Sequence, residues 1–276
     1  MITFTDNSSL FHWQANNYNG AKFYAIQNGY RSKLELSIQK KFKLTNFFTF
    51  GESVEKQYRK YGHSAKKFIP VGSFLSSIFV QNIGFSNHIK YDICLISTHK
   101  PRFFNTKSEF GRNLGMIDSY LIKFLNENSN LKCAILCRSP KNSMNGKFEL
   151  DYFSSVYGPR VDLIFRDDCE FSTYQGMAQS KLIVTCYSTC GVEAFGWGKK
   201  VLFCDYSPDN RFANLDSGLW LLDEEGYGSF SERLNMILLI DQKKYRKITA
   251  KYSNFIMKYE NNHSCIDKIK SSLHLE

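Results

Sequence analysis

The chain has 276 residues and a mass of 32.0 kDa, and 43% of its residues are hydrophobic against 22% that are charged. Its 24 Phe, 16 Tyr and 3 Trp residues supply too much apolar surface for a disordered chain. The longest apolar run, residues 236–240, is far shorter than the roughly 20 residues that a membrane-spanning helix needs. Residues 1–6 lack a basic start and a long apolar stretch, so no signal peptide is expected.

The net charge of +10 is concentrated in one segment, because residues 31–67 hold ten Lys and Arg residues against three Glu. A basic field of this kind attracts nucleic acid, an anionic membrane face, or phosphorylated or acidic substrates, and it also occurs on an ordinary solvated helix surface. No nucleic-acid-binding motif accompanies the segment, so nucleic acid is not expected as a partner.

The eight cysteines predict neither a disulfide framework nor a zinc site. None forms a C-x-x-C pair, and five lie in strongly apolar strand-like runs or directly after one. We expect buried, free thiols in a reducing cytoplasm and no bound metal. The eight positions are Cys94, Cys133, Cys137, Cys169, Cys186, Cys190, Cys204 and Cys265.

In chain order, short β-rich runs alternate with helical stretches. The first part has strand patterns at 2–5, 22–27, 46–50 and 67–71, a helix at 52–61, and a short helix with a crossover at 73–90. The second part has continuous apolar strand runs at 91–97, 132–138, 161–166, 181–186 and 201–204, as expected for parallel strands that are covered on both faces. Helices are predicted at 108–127, 170–179, 191–197 and from 230 to about 259.

This alternation predicts an α/β protein with two Rossmann-like domains, the second a doubly wound parallel sheet. We expect a partial N-terminal domain at residues 1–85, a C-terminal nucleotide-donor-binding domain at 86–260, and a loosely held tail at 261–276.

In open α/β sheets, ligands bind outside the carboxyl ends of the strands. The sharpest candidate loop there holds Ser188, Thr189 and Gly191 at the start of a helix, where backbone amides and hydroxyls can cradle a phosphate. Glu193 follows one turn later, within reach of ribose hydroxyls. An ordinary N-cap with a packing glycine explains the same residues. Cations that follow neighbouring strands, Lys100, Arg102 and Arg138, favour the phosphate interpretation.

Three segments resemble GT-B glycosyltransferases of bacterial surface-carbohydrate biosynthesis, including polyol-phosphate transferases of the CDP-glycerol type. Segment 180–202 (SKLIVTCYSTCGVEAFGWGKKVL) is similar to their donor-site segment, and 23–31 (FYAIQNGYR) resembles their Q(N/H)G loop. The pair 48–52 (FTFGE) and 67–73 (KFIPVGS) looks like the stretch before their domain crossover. Together these segments run from residue 23 to about 207, roughly two thirds of the chain.

The resemblance implies a GT-B fold and a nucleotide-activated sugar or CDP-polyol as donor substrate, with no bound cofactor or metal. Ser188, Thr189 and Gly191 would hold the donor diphosphate, Glu193 would bind ribose or sugar hydroxyls, and Lys100 and Arg138 would neutralise phosphate charge. The loop of Gln27, Asn28 and Gly29 would face the donor. The adjacent pair Asp167 and Asp168 is not the Asp-x-Asp motif of metal-dependent transferases.

Two features depart from that pattern. Asn28 stands where related enzymes can have a histidine base, and an amide cannot take up a proton. Asp6 and His12, which follow the first strand, lead the alternatives as catalytic base, ahead of His63 and His99. The first domain has only about 90 residues, so we expect it to be shortened relative to a full acceptor domain.

The favoured hypothesis is a metal-independent glycosyltransferase that moves a sugar or polyol phosphate onto a surface polysaccharide or a lipid-linked, anionic acceptor. The enzyme would be cytoplasmic, with peripheral contact at the inner membrane face as a further expectation. The alternatives are a non-catalytic, nucleotide-sugar-binding remnant of such an enzyme and, third, a basic nucleic-acid-binding protein.

Overall fold

Two parallel β-sheets organise the chain, one in each of two structural units. The computed structural model describes residues 1–85, 88–104, 108–259 and 265–274. Unit 1 comprises Met1–Gly84 and Ala250–Glu276, and unit 2 comprises Phe85–Thr249. The expected boundary at residue 85 therefore lies one residue from the observed one.

Unit 1 holds a four-stranded parallel sheet with the strand order β1-β2-β3-β4. Several helices of this unit begin at a serine N-cap. The serine hydroxyl stabilises the start of the helix because it accepts a hydrogen bond from an amide of the first turn. The elements of its N-terminal part are β1 (Ile2–Thr3), α1 (Ser9–Asn17), β2 (Tyr24–Ile26), α2 (Lys33–Ile38), β3 (Lys43–Thr49), α3 (Ser53–Lys60), β4 (Ser64–Pro70) and α4 (Phe74–Asn82).

Unit 2 holds a six-stranded, all-parallel sheet with the strand order β10-β9-β8-β5-β6-β7. Its elements are β5 (Tyr91–Ile96), α5 (Pro101–Phe104), α6 (Glu109–Glu127), β6 (Cys133–Leu136), α7 (Met144–Tyr157), β7 (Asp162–Ile164), α8 (Ser172–Ala178), β8 (Ser180–Thr185), α9 (Thr189–Gly196), β9 (Lys200–Cys204), β10 (Leu221–Leu222) and α10 (Tyr227–Leu239). Two further helices follow, α11 (Gln242–Ile256) and α12 (Cys265–His274).

Strands β5, β6, β8 and β9 match predicted apolar runs because they are buried between helices. The run at 161–166 corresponds to the less buried strand β7, and β10 was not predicted. The best predicted helix is α6, and the Ser108 hydroxyl caps it by accepting from the Gly111 amide at 3.0 Å. The helical prediction at 230–259 is two helices rather than one. Asp241 separates them, since its carboxylate accepts from the amides of Lys243 and Lys244 at the start of α11.

The end of the chain belongs to unit 1, which corrects the expected loose tail at 261–276 and the domain end at residue 260. Cys265 and Ile269 of α12 are buried against Ile26 and Phe48 of the first sheet and Val71, which follows β4. Together with Phe74 of α4 they form an apolar cluster on that sheet. Sequence pattern alone does not show this, since the two segments are about 190 residues apart.

Six of the eight cysteines are buried, Cys169 is exposed and Cys190 is partly exposed, and all eight are free thiols. Within the described ranges, no helix is both long and apolar enough to cross a bilayer.

Candidate functional site

The strand order of unit 2 reverses between β5 and β8. From β5 the chain moves outward through β6 and β7, then returns to pair β8 with the other edge of β5 and continues to β9 and β10. Connections leave on opposite faces at such a reversal, and this opens a crevice outside the carboxyl ends of the two strands. The loops that follow β5 and β8 therefore mark the candidate site, and the segment containing Ser188 is one of them.

Ser188 is the N-cap of α9 and has an extended backbone, but its hydroxyl makes no capping hydrogen bond. Five serine N-caps elsewhere in the described chain do accept one, namely Ser8, Ser32, Ser73, Ser108 and Ser143. The first-turn amides of α9 thus donate no hydrogen bond to the cap side chain. These amides and the positive end of the helix dipole suit an anionic group at this place.

Gly191 lies in the first turn of α9 because the helix packs tightly on the sheet. A Cβ atom at this position would lie 2.8 Å from Thr185 Cγ2 and 3.2 Å from Phe203 Cε1. Gly191 itself is buried. The packing interpretation therefore accounts for this glycine, and its predicted contact with a diphosphate stays a prediction.

Glu193 lies one turn further along α9 and is 2% exposed. The hydroxyl of Tyr174, on α8, donates to Glu193 Oε1 at 3.2 Å. Burial raises the pKa of the Tyr174 hydroxyl, and the nearby Glu193 charge raises it further, so the hydroxyl keeps its proton and acts as the donor. The sequence predicted the place of Glu193 on the helix but not this tyrosine, which comes from a separate crossover.

Arginine side chains converge at the carboxyl ends of β5, β6 and β7. Arg138 is exposed, and its pKa is lowered, first by desolvation, with Arg166 and Arg102 also lowering it. Both arginines therefore lie within electrostatic range of the Arg138 guanidinium group. Arg166 forms a bidentate pair with Asp168, at 2.6 and 2.8 Å. A bound anion would relieve the repulsion among these cations.

The predicted cations after β5 lie beside an aromatic ring. Arg102 is positioned over Phe103, with the guanidinium carbon 4.9 Å from the ring centroid, and the Lys100 ammonium is 5.9 Å from the same centroid. This ring stacks edge-on with Phe110, which also contacts Tyr187, the residue before Ser188. Lys100, Arg102 and the loop with Ser188 are therefore grouped around one aromatic cluster.

Glu149, which sequence reasoning missed, ties two strand ends together. This fully buried carboxylate on α7 accepts hydrogen bonds from the Ser97 hydroxyl at 2.5 Å, the Arg138 amide at 2.9 Å and the Ser139 amide at 3.0 Å. It thereby fixes the backbone of Arg138 relative to the end of β5. The weak apolar pattern of α7 gave no signal for a buried acid.

His99 follows β5 and is held by a second buried carboxylate. Its Nε2 lies 2.7 Å from Asp118 Oδ2, and Asp118 also accepts from the hydroxyls of Tyr152 and Tyr157 at 2.7 and 2.8 Å. The histidine is 3% exposed. His99 thus fixes the loop after β5, and Asp118 was not predicted from the sequence.

The two predicted catalytic residues of unit 1 are fully enclosed, each with 0% exposure. Arg31 donates to Asp6 Oδ1 at 2.5 Å and to Asn28 Oδ1 at 2.8 Å. Desolvation raises the pKa of Asp6 from 3.8 to about 6, although Arg31 acts in the opposite direction. Arg31 is thus the residue that the sequence missed, and it joins the two predicted residues Asp6 and Asn28.

His12 is a core side chain of unit 1, so its assignment as a base is corrected. Its ring packs against Phe42, with centroids 4.7 Å apart, and burial lowers its pKa from 6.5 to about 4. His63 is also buried against Phe42, at 4.8 Å, and burial lowers its pKa. Neither ring has surface through which an acceptor could reach it.

The predicted loop after β2 is held by its own glutamine. Gln27 Nε2 donates to the Gly29 carbonyl at 3.1 Å, and the Phe50 amide donates to Gln27 Oε1 at 2.9 Å. Gln27 is 2% exposed, whereas Asn28 is partly exposed. Gln27 therefore fixes the ends of β2 and β3, and Asn28 is the member of this loop with polar atoms near the surface. Among residues with described positions, no group of three or more His, Cys, Asp or Glu side chains could hold a metal ion.

Solved structures with the same arrangement are sugar-nucleotide enzymes of low sequence identity. A Listeria monocytogenes protein assigned as a UDP-N-acetylglucosamine 2-epimerase matches with a TM-score of 0.63 and 13% identity, over 94% of this chain and 68% of that one. The Methanocaldococcus jannaschii UDP-GlcNAc 2-epimerase, solved with UDP-GlcNAc and UDP, matches with a TM-score of 0.60 and 12% identity, over 92% and 69%.

A third similar structure is a mutant form of TarM from S. aureus, solved with Fondaparinux, alpha-GlcNAc-glycerol and UDP. It has a TM-score of 0.52 and 12% identity, over 94% of this chain and 51% of that one. At such identities the likeness shows the fold, and it confirms the predicted α/β class with two Rossmann-like units of the GT-B type. The chain therefore has a fold of the GT-B type.

Residues 24–272 match the model of a family described as "putative O-antigen biosynthesis protein". The chain belongs to this family. Its sequence has no match among curated proteins. The predicted relation to surface-carbohydrate biosynthesis is thereby supported at the level of the family.

Proposed function

We propose that the protein is a glycosyltransferase of O-antigen assembly that moves a sugar, or a polyol phosphate, from a nucleotide-activated donor to a polysaccharide or lipid-linked acceptor. One observation carries the proposal: the uncapped first turn of α9 opens at the strand-order reversal of unit 2, among cations that follow the neighbouring strands. Family membership and the GT-B fold support the same class.

For sugar transfer, the proposed chemistry breaks the bond between the donor sugar and its diphosphate, forms a bond from the sugar to an acceptor hydroxyl oxygen, and releases the nucleoside diphosphate with the bonding electron pair. For polyol-phosphate transfer, the phosphoanhydride bond of the donor breaks, the phosphorus that carries the polyol bonds to the acceptor oxygen, and the nucleoside monophosphate leaves with the electron pair. In both cases the acceptor proton passes to a base. Amides of α9 and the guanidinium groups of Arg138 and Arg102 stabilise the charge that develops on the leaving group without help from a metal. Glu193 binds the donor through ribose or sugar hydroxyls.

Asp6 remains the candidate base in this proposal. Its pKa of about 6 lies near neutral pH, where a carboxylate can accept a proton during the reaction. Asp6 is fully buried, with Oδ1 paired with Arg31 and Oδ2 accepting from the Tyr58 hydroxyl at 3.4 Å, so unit 1 has to open around the carboxylate before it meets an acceptor hydroxyl. The reaction would take place in the cytoplasm, because the cysteines are free thiols and the cytoplasm keeps thiols reduced.

Calorimetry with UDP-, GDP-, CDP- and CMP-linked donors tests the proposal. UDP-GlcNAc comes first because similar structures were solved with it or with UDP. We expect one donor class to bind, and Arg138→Ala to weaken that binding about tenfold or more, because a charged contact to phosphate is lost. Arg59→Ala is the matched control, since Arg59 forms an exposed ion pair with Glu55 on α3 of the other unit. Absence of binding by every donor would contradict the proposal.

The second candidate is a nucleotide-sugar-binding protein without catalysis. The full enclosure of Asp6 and His12 favours it. Incubation with the bound donor and lipid-linked acceptors, followed by NMR of the products, separates the candidates. A glycosylated acceptor supports transfer, and an intact donor despite tight binding supports the second candidate. Conversion of the donor to its C2 epimer would contradict transfer and identify the reaction as epimerisation.

A further inference from the structure

Helices α1 and α2 of unit 1 carry large apolar side chains that face solvent. Leu10 is 67% exposed, Trp13 52% and Ile38 75%. Leu34 and Tyr18 are also at least half exposed. The α1–α2 surface is defined by these apolar residues and by the exposed lysines that follow α2. Its members are Leu10, Trp13, Tyr18, Leu34, Ile38, Lys40, Lys41 and Lys43.

Both helices lie on the same side of the first sheet. Its strands follow one another in chain order, and successive right-handed crossovers then place their helices on one face. Hydrogen bonds tie α1 to the segment after α2. Asn16 donates to the Lys41 carbonyl at 3.0 Å and accepts from the Lys43 amide at 2.8 Å. Gln39 donates to the Asp6 carbonyl at 3.3 Å, just before α1.

The segment that forms this surface is poor in acidic side chains, and the next two, Glu52 and Glu55, are exposed together with the basic residues Lys56, Arg59 and Lys60. Residues 1–51 contain only two acidic side chains, and both serve internal contacts. Asp6 is buried against Arg31, and Glu35 closes the N-terminus of α2 by accepting from the Ser32 amide at 2.9 Å. Lys40, Lys41 and Lys43 are exposed, and the backbone of Lys41 and Lys43 is hydrogen-bonded to Asn16 of α1.

We propose that the α1–α2 surface docks on an anionic lipid bilayer. Leucine, isoleucine and tryptophan side chains insert at the boundary of headgroups and acyl chains, while lysines contact anionic headgroups. A second copy of the chain is a poorer occupant, because a two-fold symmetric contact would bring two basic surfaces of the same charge together. The inference does not depend on the proposed transfer reaction, since it concerns a surface and not the donor site.

Trp13 provides a direct readout on the full-length protein. The other two tryptophans, Trp197 and Trp220, are 6% and 8% exposed. The probes are vesicles of phosphatidylcholine alone and vesicles of phosphatidylcholine with phosphatidylglycerol. We expect cosedimentation only with the anionic vesicles, together with a blue shift of the emission and protection from acrylamide. The Trp13→Phe variant should bind but lose the spectral change.

Matched variants separate the apolar and charged contributions. Leu10→Ser with Ile38→Ser, and Lys40→Glu with Lys41→Glu, should each lower vesicle partitioning about tenfold or more. Leu239→Ser is the control, because Leu239 is 84% exposed but lies on α10 of unit 2. Wild-type protein that ignores anionic vesicles, or surface variants that bind as well as wild type, would overturn the proposal. So would a concentration-dependent dimer that only the Leu10→Ser, Ile38→Ser variant loses.

Discussion

At the scale of single residues, the polar side chains at the strand ends divide into those that hold the protein together and those that can meet a ligand. The side-chain oxygens of Gln27, Glu149 and Asp118 accept hydrogen bonds from backbone amides or hydroxyls of their own unit. Ser188 makes no capping bond, and Arg138 is exposed. Both residues are in unit 2, where the donor is proposed to bind.

Glu193→Gln tests whether the buried carboxylate binds the donor. The substitution keeps the size of the side chain but removes its charge. A hydrogen bond to a charged group contributes about 1.5–3 kcal/mol, so we expect calorimetry to show that the affinity for the preferred nucleotide falls about tenfold or more. Tyr174→Phe removes the 3.2 Å hydrogen bond to Glu193 but leaves the charge of Glu193 in place, so this variant should bind the nucleotide nearly as tightly as wild type. Equal affinity of Glu193→Gln and wild type would leave Glu193 with a structural role alone.

His12 predicts a component of acid sensitivity in the stability of unit 1. Its pKa is about 4 in the folded chain and 6.5 when unfolded, so below pH 6.5 the unfolded state takes up a proton that the folded state does not. Between pH 6.5 and 4 this group should lower the free energy of unfolding by about 3 kcal/mol. Urea denaturation of His12→Phe should lack that component.

The exposed His88 supplies the control for this pH series. His88→Gln should retain the full acid sensitivity of wild type. A His12→Phe variant whose stability falls with pH as steeply as wild type would show that the His12 ring does not contribute to the acid sensitivity of unit 1.

At the scale of elements, α9 combines a structural requirement with the candidate site. Its first turn must lie close to β8 and β9, and only a residue without a side chain fits between Thr185 and Phe203. The same close approach holds the first-turn amides at the carboxyl end of the sheet. Packing and anion binding are therefore consequences of one helix position.

Gly191→Ala should lower the free energy of unfolding of unit 2 by about 1–3 kcal/mol in urea denaturation, because the new methyl group overpacks the contact with Thr185. Gly115→Ala in α6 is the matched control, since nothing lies within 4 Å of the position that its Cβ atom would take. That control should be neutral or stabilising by up to about 1 kcal/mol, as alanine favours helix. A stability loss of equal size in both variants would refute the packing explanation.

At the scale of the whole molecule, helix α12 contributes to the hydrophobic core of unit 1, although the sheet of that unit comes from the start of the chain. The sheet of unit 1 is built from the first 70 residues, yet α12 forms an apolar cluster with two of its strands. Unit 1 can reach its final stability only once the C-terminus is present. Stability and integrity of the N-terminal sheet therefore depend on residues far away in the sequence.

Ile269→Ala should destabilise unit 1 by about 2–4 kcal/mol, because Ile269 is 6% exposed among Ile26, Phe48 and Val71. Leu273→Ala, at a 37% exposed position of the same helix, should change stability far less. Urea denaturation and limited proteolysis report both effects. Equal stability of the two variants would argue against α12 as part of the core.

The sequence by itself determined the class of fold and the place of the candidate donor site. Continuous apolar runs are typical of parallel strands covered on both faces, and the segment around Ser188 predicted a helix start at a strand end. Short, weakly patterned elements such as α1, α2, α7 and β10 were missed, because their burial depends on neighbours that the local pattern does not contain.

Only the tertiary structure decided which polar residues are engaged. Asp6 and His12 stand at the expected end of the first sheet, but Arg31 and Phe42 enclose them, and those partners come from other loops. Tyr174 reaches Glu193 from another helix, and α12 returns to Phe48 across most of the chain. Local periodicity determines elements, whereas burial and pairing depend on contacts between distant segments, which a linear pattern does not encode.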